Sequence, residues 1–244
     1  MTSISLPPPF SLIALDRIDS TNDEAKRQAA NGAGHGTVVW AGEQTAGRGR
    51  RGRLWVSPPG NLHCSFLLHP GNTPATAPQL AFVAAVALCD ALLELLPAAP
   101  FKVKWPNDLL AGGRKIAGML LEQGSPWIIL GVGVDIAHAP DPALYPTTCL
   151  RQLGSGAGPF DVLAGFCGHL APWYERWRQE GFAPIRQAWL ARAAGIGGPV
   201  TVRLADDTKF DGRFIGLDEE GALLVETSDK KCKAILAGDV FFSE

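Results

Sequence analysis

Gly47-Arg48-Gly49-Arg50-Arg51-Gly52-Arg53 is the stretch on which the reading of this chain turns. Four arginines alternate with three glycines. An apolar strand candidate, Thr37-Val38-Val39-Trp40, precedes the run, and Leu54-Trp55-Val56 follows it. The run is therefore a cationic loop tethered at both ends to a core, not a tail. Guanidinium forks bind phosphate and carboxylate bidentately. Glycines let backbone N–H groups come close to the same anion. Such a loop is suited to close over an anionic ligand. Taken alone, it leans toward a nucleic-acid-binding arm, and the rest of the chain reverses that preference.

The 244 residues are 46% hydrophobic, enough for one large domain with a real core and a small appended one. Basic residues number 22 and acidic ones 24, and the pI is about 6.2. Dedicated nucleic-acid binders carry a basic surplus. Here positive charge is concentrated in the loop, which favours a local anion site. The five cysteines (Cys64, Cys89, Cys149, Cys167, Cys232) form no C-x-x-C pair, and the five histidines form no metal-binding pattern. Cys167 and His169 are close, but two groups do not make a zinc site, so no structural metal is expected. Scattered free cysteines suit a reducing cytoplasm. Leu6-Pro7-Pro8-Pro9-Phe10 reads as a stiff extended leader without signal-peptide character. No apolar run reaches 18 residues uninterrupted, so no membrane span is expected.

Ser11–Ile18 reads as a strand, and Ser20 caps a helix to about Ala30, stopped by Gly32. Residues 36–41 and 61–69 read as strands flanking the 42–55 loop. Pro78 starts a helix through Leu96 whose spacing gives one apolar face. Phe101–Trp105 alternates as a strand. Asp108–Ala111 and Lys115–Glu122 form a hairpin across Gly112-Gly113. Trp127–Ile136 is apolar enough to be the central strand, and residues 137–158 form a loop. Phe160–Ala171 and Pro184–Ala194 are helical, with Pro172 starting or kinking an intervening piece. After Ile196-Gly197-Gly198-Pro199 the texture changes to four or five short strands: Val200–Leu204, Lys209–Leu217, Leu223–Glu226 and Lys233–Leu236. They suit a small β-barrel.

Four further stretches carry chemistry. Asp19-Ser20-Thr21-Asn22 is a helix cap that also offers N–H donors and small polar side chains to a neutral head group. Lys104-Trp105-Pro106-Asn107-Asp108 ends a strand at a rigid corner. Its Asp108 is a candidate to hold Mg²⁺ or to position an attacking amine. In a strict pleat Lys115 and Gly118 fall on opposite faces, so shared contact with one ligand requires a bulge or a backbone contact at Gly118. Gly131, Gly133 and Asp135 share one strand face. Two glycines there mean either close approach to something flat or tight helix–sheet packing.

Together and in this order, with Glu43-Gln44-Thr45-Ala46, Trp55 and Arg114-Lys115-Ile116-Ala117-Gly118, these motifs resemble the biotin protein ligase family. The resemblance covers most of the chain. It implies an α+β fold: a mixed β-sheet catalytic domain with flanking helices, of class II synthetase type, over residues 1–195. A small C-terminal SH3-like β-barrel would follow over 196–244. The implied enzyme activates biotin with ATP and Mg²⁺ to biotinyl-5′-AMP. It then transfers biotin to a lysine on the biotin carboxyl carrier protein of acetyl-CoA carboxylase.

By this resemblance Ser20, Thr21, Asn22, Gln44, Gly47, Gly118, Leu120, Gly131 and Gly133 would contact biotin. Arg48, Arg50 and Lys115 would contact both biotin and nucleotide. Arg51, Arg53, Trp55, Lys104 and Asn107 would serve ATP or the adenylate. Lys115, Arg48, Arg50 and Asp108 would be catalytic. The chain departs from the family pattern at Asp135, where asparagine is usual. Only about ten residues precede the first strand, so neither DNA binding nor repression is expected. A homodimer stays open. Rival readings are a lipoate or octanoate ligase, which shares the catalytic fold, and a nucleic-acid module using the loop. The loop is expected to be mobile when empty, because its four arginines repel one another.

Overall fold

The computed structural model describes residues 5–69, 74–124, 126–141 and 146–242. Part of the expected 137–158 loop, at 142–145, lies outside the described residues, as do the outer ends of the two expected domains. The leader is not extended: Phe10 N–H donates to Pro7 O at 3.1 Å, closing a turn. The turn buries Leu6 and Phe10, and the Phe10 ring meets Phe66 edge-on at 5.5 Å.

The first part of the chain runs β1 (Ser11–Ile18), α1 (Thr21–Ala30), β2 (Thr37–Gln44), β3 (Leu62–Leu68) and α2 (Leu80–Leu95). Then follow β4 (Phe101–Lys104), β5 (Asp108–Ala111), β6 (Arg114–Gly124), β7 (Trp127–Val134), α3 (Pro159–Glu180) and α4 (Phe182–Arg192). The seven strands form one sheet in the order β1-β2-β3-β7-β6-β5-β4. Only β1 and β2 pair in parallel. β7 is the middle strand, covered on both faces, which explains its nearly continuous apolar run. Leu130, Val132 and Val134 join the main core, whereas Ile129 packs with Ala25 of α1. Gly131 and Gly133 therefore lie on the α1 face.

α2 is buried nearly all round, not along one stripe, because it lies between the sheet and α3. Thr76–Leu95 is long and apolar enough for a membrane span by length and composition only. It is 78% buried inside the fold and serves as the core helix. α3 runs unbroken through Pro172. An interior proline costs about 3 kcal/mol in an exposed helix; here the Leu163–Trp177 face is buried against the core and holds the helix together.

The C-terminal part is a five-stranded antiparallel sheet of β8 (Pro199–Arg203), β9 (Lys209–Leu217), β10 (Leu223–Glu226), β11 (Cys232–Ile235) and β12 (Asp239–Phe242). Their order is β11-β10-β9-β8-β12. The strand missing from the sequence reading is β12, which pairs with β8 so that Asp239 faces Arg203. This module shares the main core: Phe82 meets Phe182 and Trp189, and Trp189 meets Phe214. Trp105 Nε1 also donates to Gly221 O at 3.1 Å. The Lys104–Asp108 corner is thereby tied to the second sheet.

Candidate active site

A cavity of about 510 Å³ opens on the α1 face of the sheet. Every site residue named from the sequence lines it except Gly47 and Arg51. It has two chemically different ends.

The first end is neutral and built on the start of α1. Ser20, Thr21 and Asn22 are all at most 5% exposed. Ser20 caps the helix, its hydroxyl accepting from Asp23 N–H. Gln44 Oε1 accepts from both the Thr21 N–H (2.8 Å) and the Thr21 hydroxyl (3.0 Å). Its amide nitrogen donates to the Ser57 hydroxyl at 2.9 Å. β2 extends three residues beyond its expected end, and this places Gln44 on a strand instead of a loop. The buried Ser65 hydroxyl sits 2.7 Å from Thr21 Oγ1 and 2.6 Å from Asn22 Oδ1. Asn22 Nδ2 donates to Glu122 at 2.9 Å.

Both readings of the paired glycines hold, one at each position. A Cβ on Gly131 would collide with the Asn22 amide of α1, and one on Gly133 would collide with the Trp55 indole. Gly131 admits the helix; Gly133 admits a flat ring.

The second end is cationic. A bulge in the β5–β6 ladder leaves Ile116 as the extra residue, since Leu109 pairs with Ala117 while Leu110 pairs with Lys115. Lys115 thereby reaches the Gly118 face, its Nζ 3.3 Å from where a Gly118 Cβ would stand. Its ammonium donates to Asp108 at 2.6 Å and lies 5.5 Å from the Trp55 ring centre. Lys104 is 7% exposed, with Nζ 5.9 Å and 5.5 Å from the Phe241 and Phe242 rings. Burial pulls its pKa down to about 8. Asn107 links the corner to the loop, accepting from Arg50 at 3.1 Å. Asp135 is 1% exposed and accepts from Asn61 at 3.1 Å. Burial, opposed by Lys115, pushes its pKa up to about 8. Burial thus disfavours a negative charge at this position.

The arginine loop folds on itself. Gly49 N–H donates to Arg53 O at 2.7 Å, and Trp55 N–H donates to Gly47 O at 3.0 Å. Arg51 takes a left-handed backbone at φ 58°. Arg48, Arg51 and Arg53 are held by carboxylates and Arg50 by the Asn107 amide oxygen and the Gly238 carbonyl, so the mutual repulsion from which mobility was expected is offset within the fold. Arg48 binds Asp23 through both nitrogens at 2.7 Å. Arg51 and Arg53 bind Asp239 at 3.3 and 2.5 Å. Asp23 was legible only as part of a cap. Ser65, Glu122 and Asp239 carried no local signal, because their partners lie 36 to 188 residues away.

Among the described residues no three His, Cys, Asp or Glu side chains gather to hold a metal. Asp108 and Asp239 are already occupied by cationic side chains. The donors do not form a magnesium cage.

A mixed sheet carrying a neutral polar pocket that opens onto clustered cations suits an enzyme that brings a polar small molecule to an anionic one. Residues 14–135 match the Biotin/lipoate A/B protein ligase family, and residues 195–243 match the Biotin protein ligase C terminal domain. The second match separates biotin from lipoate. The chain is 43% identical to biotin–[acetyl-CoA-carboxylase] ligase of Paracoccus denitrificans, covering 93% of this chain and 99% of that one. It is 34% identical to the bifunctional ligase/repressor of Bacillus subtilis over 94% of this chain and 73% of the other. The structure of biotin protein ligase from Aquifex aeolicus in complex with biotin and ATP superposes with a TM-score of 0.84 at 28% identity, over 96% and 99% of the two chains. This chain belongs to the biotin protein ligase family.

Proposed function

We propose that the cavity's two ends divide the work of a biotin ligase, which activates biotin with ATP and transfers it to a protein lysine. The observation that carries this division is one continuous cavity with hydrogen-bonding neutral groups at one end and lysines and arginines at the other. Biotin's ureido ring is neutral and carries two N–H donors and a carbonyl. The Ser20, Thr21, Asn22 and Gln44 groups match it. The biotin carboxylate then points toward Lys115.

In the first step a carboxylate oxygen bonds to the α-phosphorus of ATP, and the α–β P–O bond breaks, releasing pyrophosphate. Two anions must meet, so fixed cations aimed at the joint lower the barrier. Lys115 stands between the two ends and serves the carboxylate and the α-phosphate; Arg48 and Arg50 cover the same joint. Arg53, Trp55, Lys104 and Asn107 serve the nucleotide. In the second step a lysine amine of the carrier attacks the acyl carbon, the C–O bond breaks and AMP leaves. Asp108, once Lys115 turns to the ligand, is placed to orient the amine and take its proton. Magnesium would come with the ATP phosphates and neutralise part of their charge; no described residue is assigned to hold it. We assign residues 1–195 to this chemistry and 196–244 to the second module. The carrier is the biotin carboxyl carrier protein of acetyl-CoA carboxylase.

Incubation with biotin, ATP and a carrier domain should give a band on a streptavidin blot that disappears when the carrier's acceptor lysine is replaced. Labelling with lipoate and none with biotin would refute the reading.

A further inference from the structure

The Gly-Arg loop is strung between two acidic anchors on opposite sides of the cavity. One is Asp23 on α1, which takes Arg48. The other comes from the C-terminal sheet. Asp239 Oδ2 accepts from Arg51, Arg53 and Arg203 at 3.3, 2.5 and 2.8 Å, with its side chain only 7% exposed. Its neighbour Gly238 supplies a carbonyl to Arg50 at 3.4 Å. Two consecutive residues of the second module thus engage three of the four loop arginines. Burial opposes ionisation of Asp239, but the hydrogen bonds from Arg203 and Arg53 outweigh it and hold the carboxyl below its usual range.

One carboxylate facing three guanidiniums leaves a local positive surplus. Asp239 and Val240 also line the cavity, so that surplus borders the end assigned to the nucleotide. Buried charges of one sign are retained only when partnered. Arg203, directly across the ladder, fixes the Asp239 carboxylate from behind. We propose that Asp239 is a positioning residue for ATP. It holds Arg53, which lines the cavity, at the nucleotide end before the ligand arrives and fixes Arg51 beside it, so that the C-terminal module supports the nucleotide site. Its contact is with the arginines and not with the reacting atoms. The inference rests on the reading of the cationic end as the nucleotide end.

The test is Asp239→Asn, with Asp239→Glu as the conservative variant. In biotin-dependent ATP–pyrophosphate exchange, D239N should raise the KM for ATP about tenfold, the cost of ordering two freed arginines on binding. The KM for biotin and kcat should change less than about threefold, and D239E should recover most of the loss. An unchanged KM for ATP would overturn the proposal. So would a lowered one, because Asp239 would then be a competitor for the arginines. If D239N folds poorly, Arg203→Gln, which removes the partner that fixes Asp239 from behind, replaces it: a raised KM for ATP supports the proposal and an unchanged one overturns it. Tryptic cleavage at Arg50–Arg53 in the ligand-free protein, faster in D239N, tests the clasp independently of any substrate. Faster cleavage without exchange activity in the wild type would spare the clasp and sink the nucleotide reading; equal cleavage would sink the clasp.

Discussion

The neutral and cationic ends of the cavity are stabilised in opposite ways. At the neutral end the groups complete one another: Thr21, Gln44, Ser57, Ser65 and Asn22 form a connected hydrogen-bond network within the first sheet and α1. Such a network is rigid and keeps its shape without ligand. At the cationic end the lysines and arginines exceed what the ligand-free cavity needs. They are kept there by carboxylates from three separate segments: Asp23, Asp108 and Asp239. The lesson is that a neutral surface completes its own hydrogen bonds, whereas clustered cations must borrow their counter-charges from carboxylates while no ligand is bound; on the proposed reading the first meets the head group and the second the phosphates.

The comparison can be broken most severely at the joint. Lys115→Ala should slow adenylate formation by about 10²–10³-fold, the scale of losing one fixed donor to a transition-state charge. Its thermal midpoint should fall by far less than the rate implies, since a single ion pair, with side chains 21% and 14% exposed, is lost and Asp108 can still take up water or a proton from the open cavity. Single-turnover kinetics beside a melting curve would separate the two effects; a comparable collapse in stability would make Lys115 structural.

A smaller effect is expected from Gly131→Ala. The added methyl has no room beside Asn22. If the displaced Asn22 carries that strain into the pocket, overpacking of about 1–3 kcal/mol corresponds to about 5–150-fold weaker biotin binding, measurable by calorimetry without ATP. ATP affinity should change less.

Gln44→Ala removes the acceptor that holds Thr21. The KM for biotin should rise about tenfold and that for ATP about twofold or less, from leaving a buried donor unmatched. A rise confined to ATP would reverse the assignment of the two ends.

Asp135→Asn gives the mildest change, and its sign depends on pH. The unfolded carboxyl ionises near its usual 3.8, while the folded one keeps its proton up to about 8. Its contribution is therefore most favourable below pH 4 and declines as pH rises toward 8. The amide is free of this decline. The variant should gain several degrees more in melting temperature at about pH 8 than at about pH 5. Equal gains at both would show that the acid is not kept neutral.

Much of this was legible from short-range pattern. Ser20 and the α1 cap, the Gly112-Gly113 hairpin and the central place of β7 follow from capping, turn and hydrophobic periodicity. The need for a bulge between Lys115 and Gly118 followed from pleat arithmetic, and Ile116 supplies it. What escaped depends on tertiary register. β12 is four residues long and indistinct in composition, yet it carries Asp239. Pro172 reads as a break, and only the packing of α3 overrides it. The loop arginines looked mutually repulsive because their counter-charges sit at opposite ends of the chain.

The central claim is that one cavity joins biotin's carboxylate to the α-phosphate of ATP. Its most direct measurement is exchange of labelled pyrophosphate into ATP, run with biotin, with lipoate and with no acid. Exchange should appear with biotin alone and vanish in the Lys115→Ala protein; exchange driven by lipoate, or independent of any acid, would contradict it.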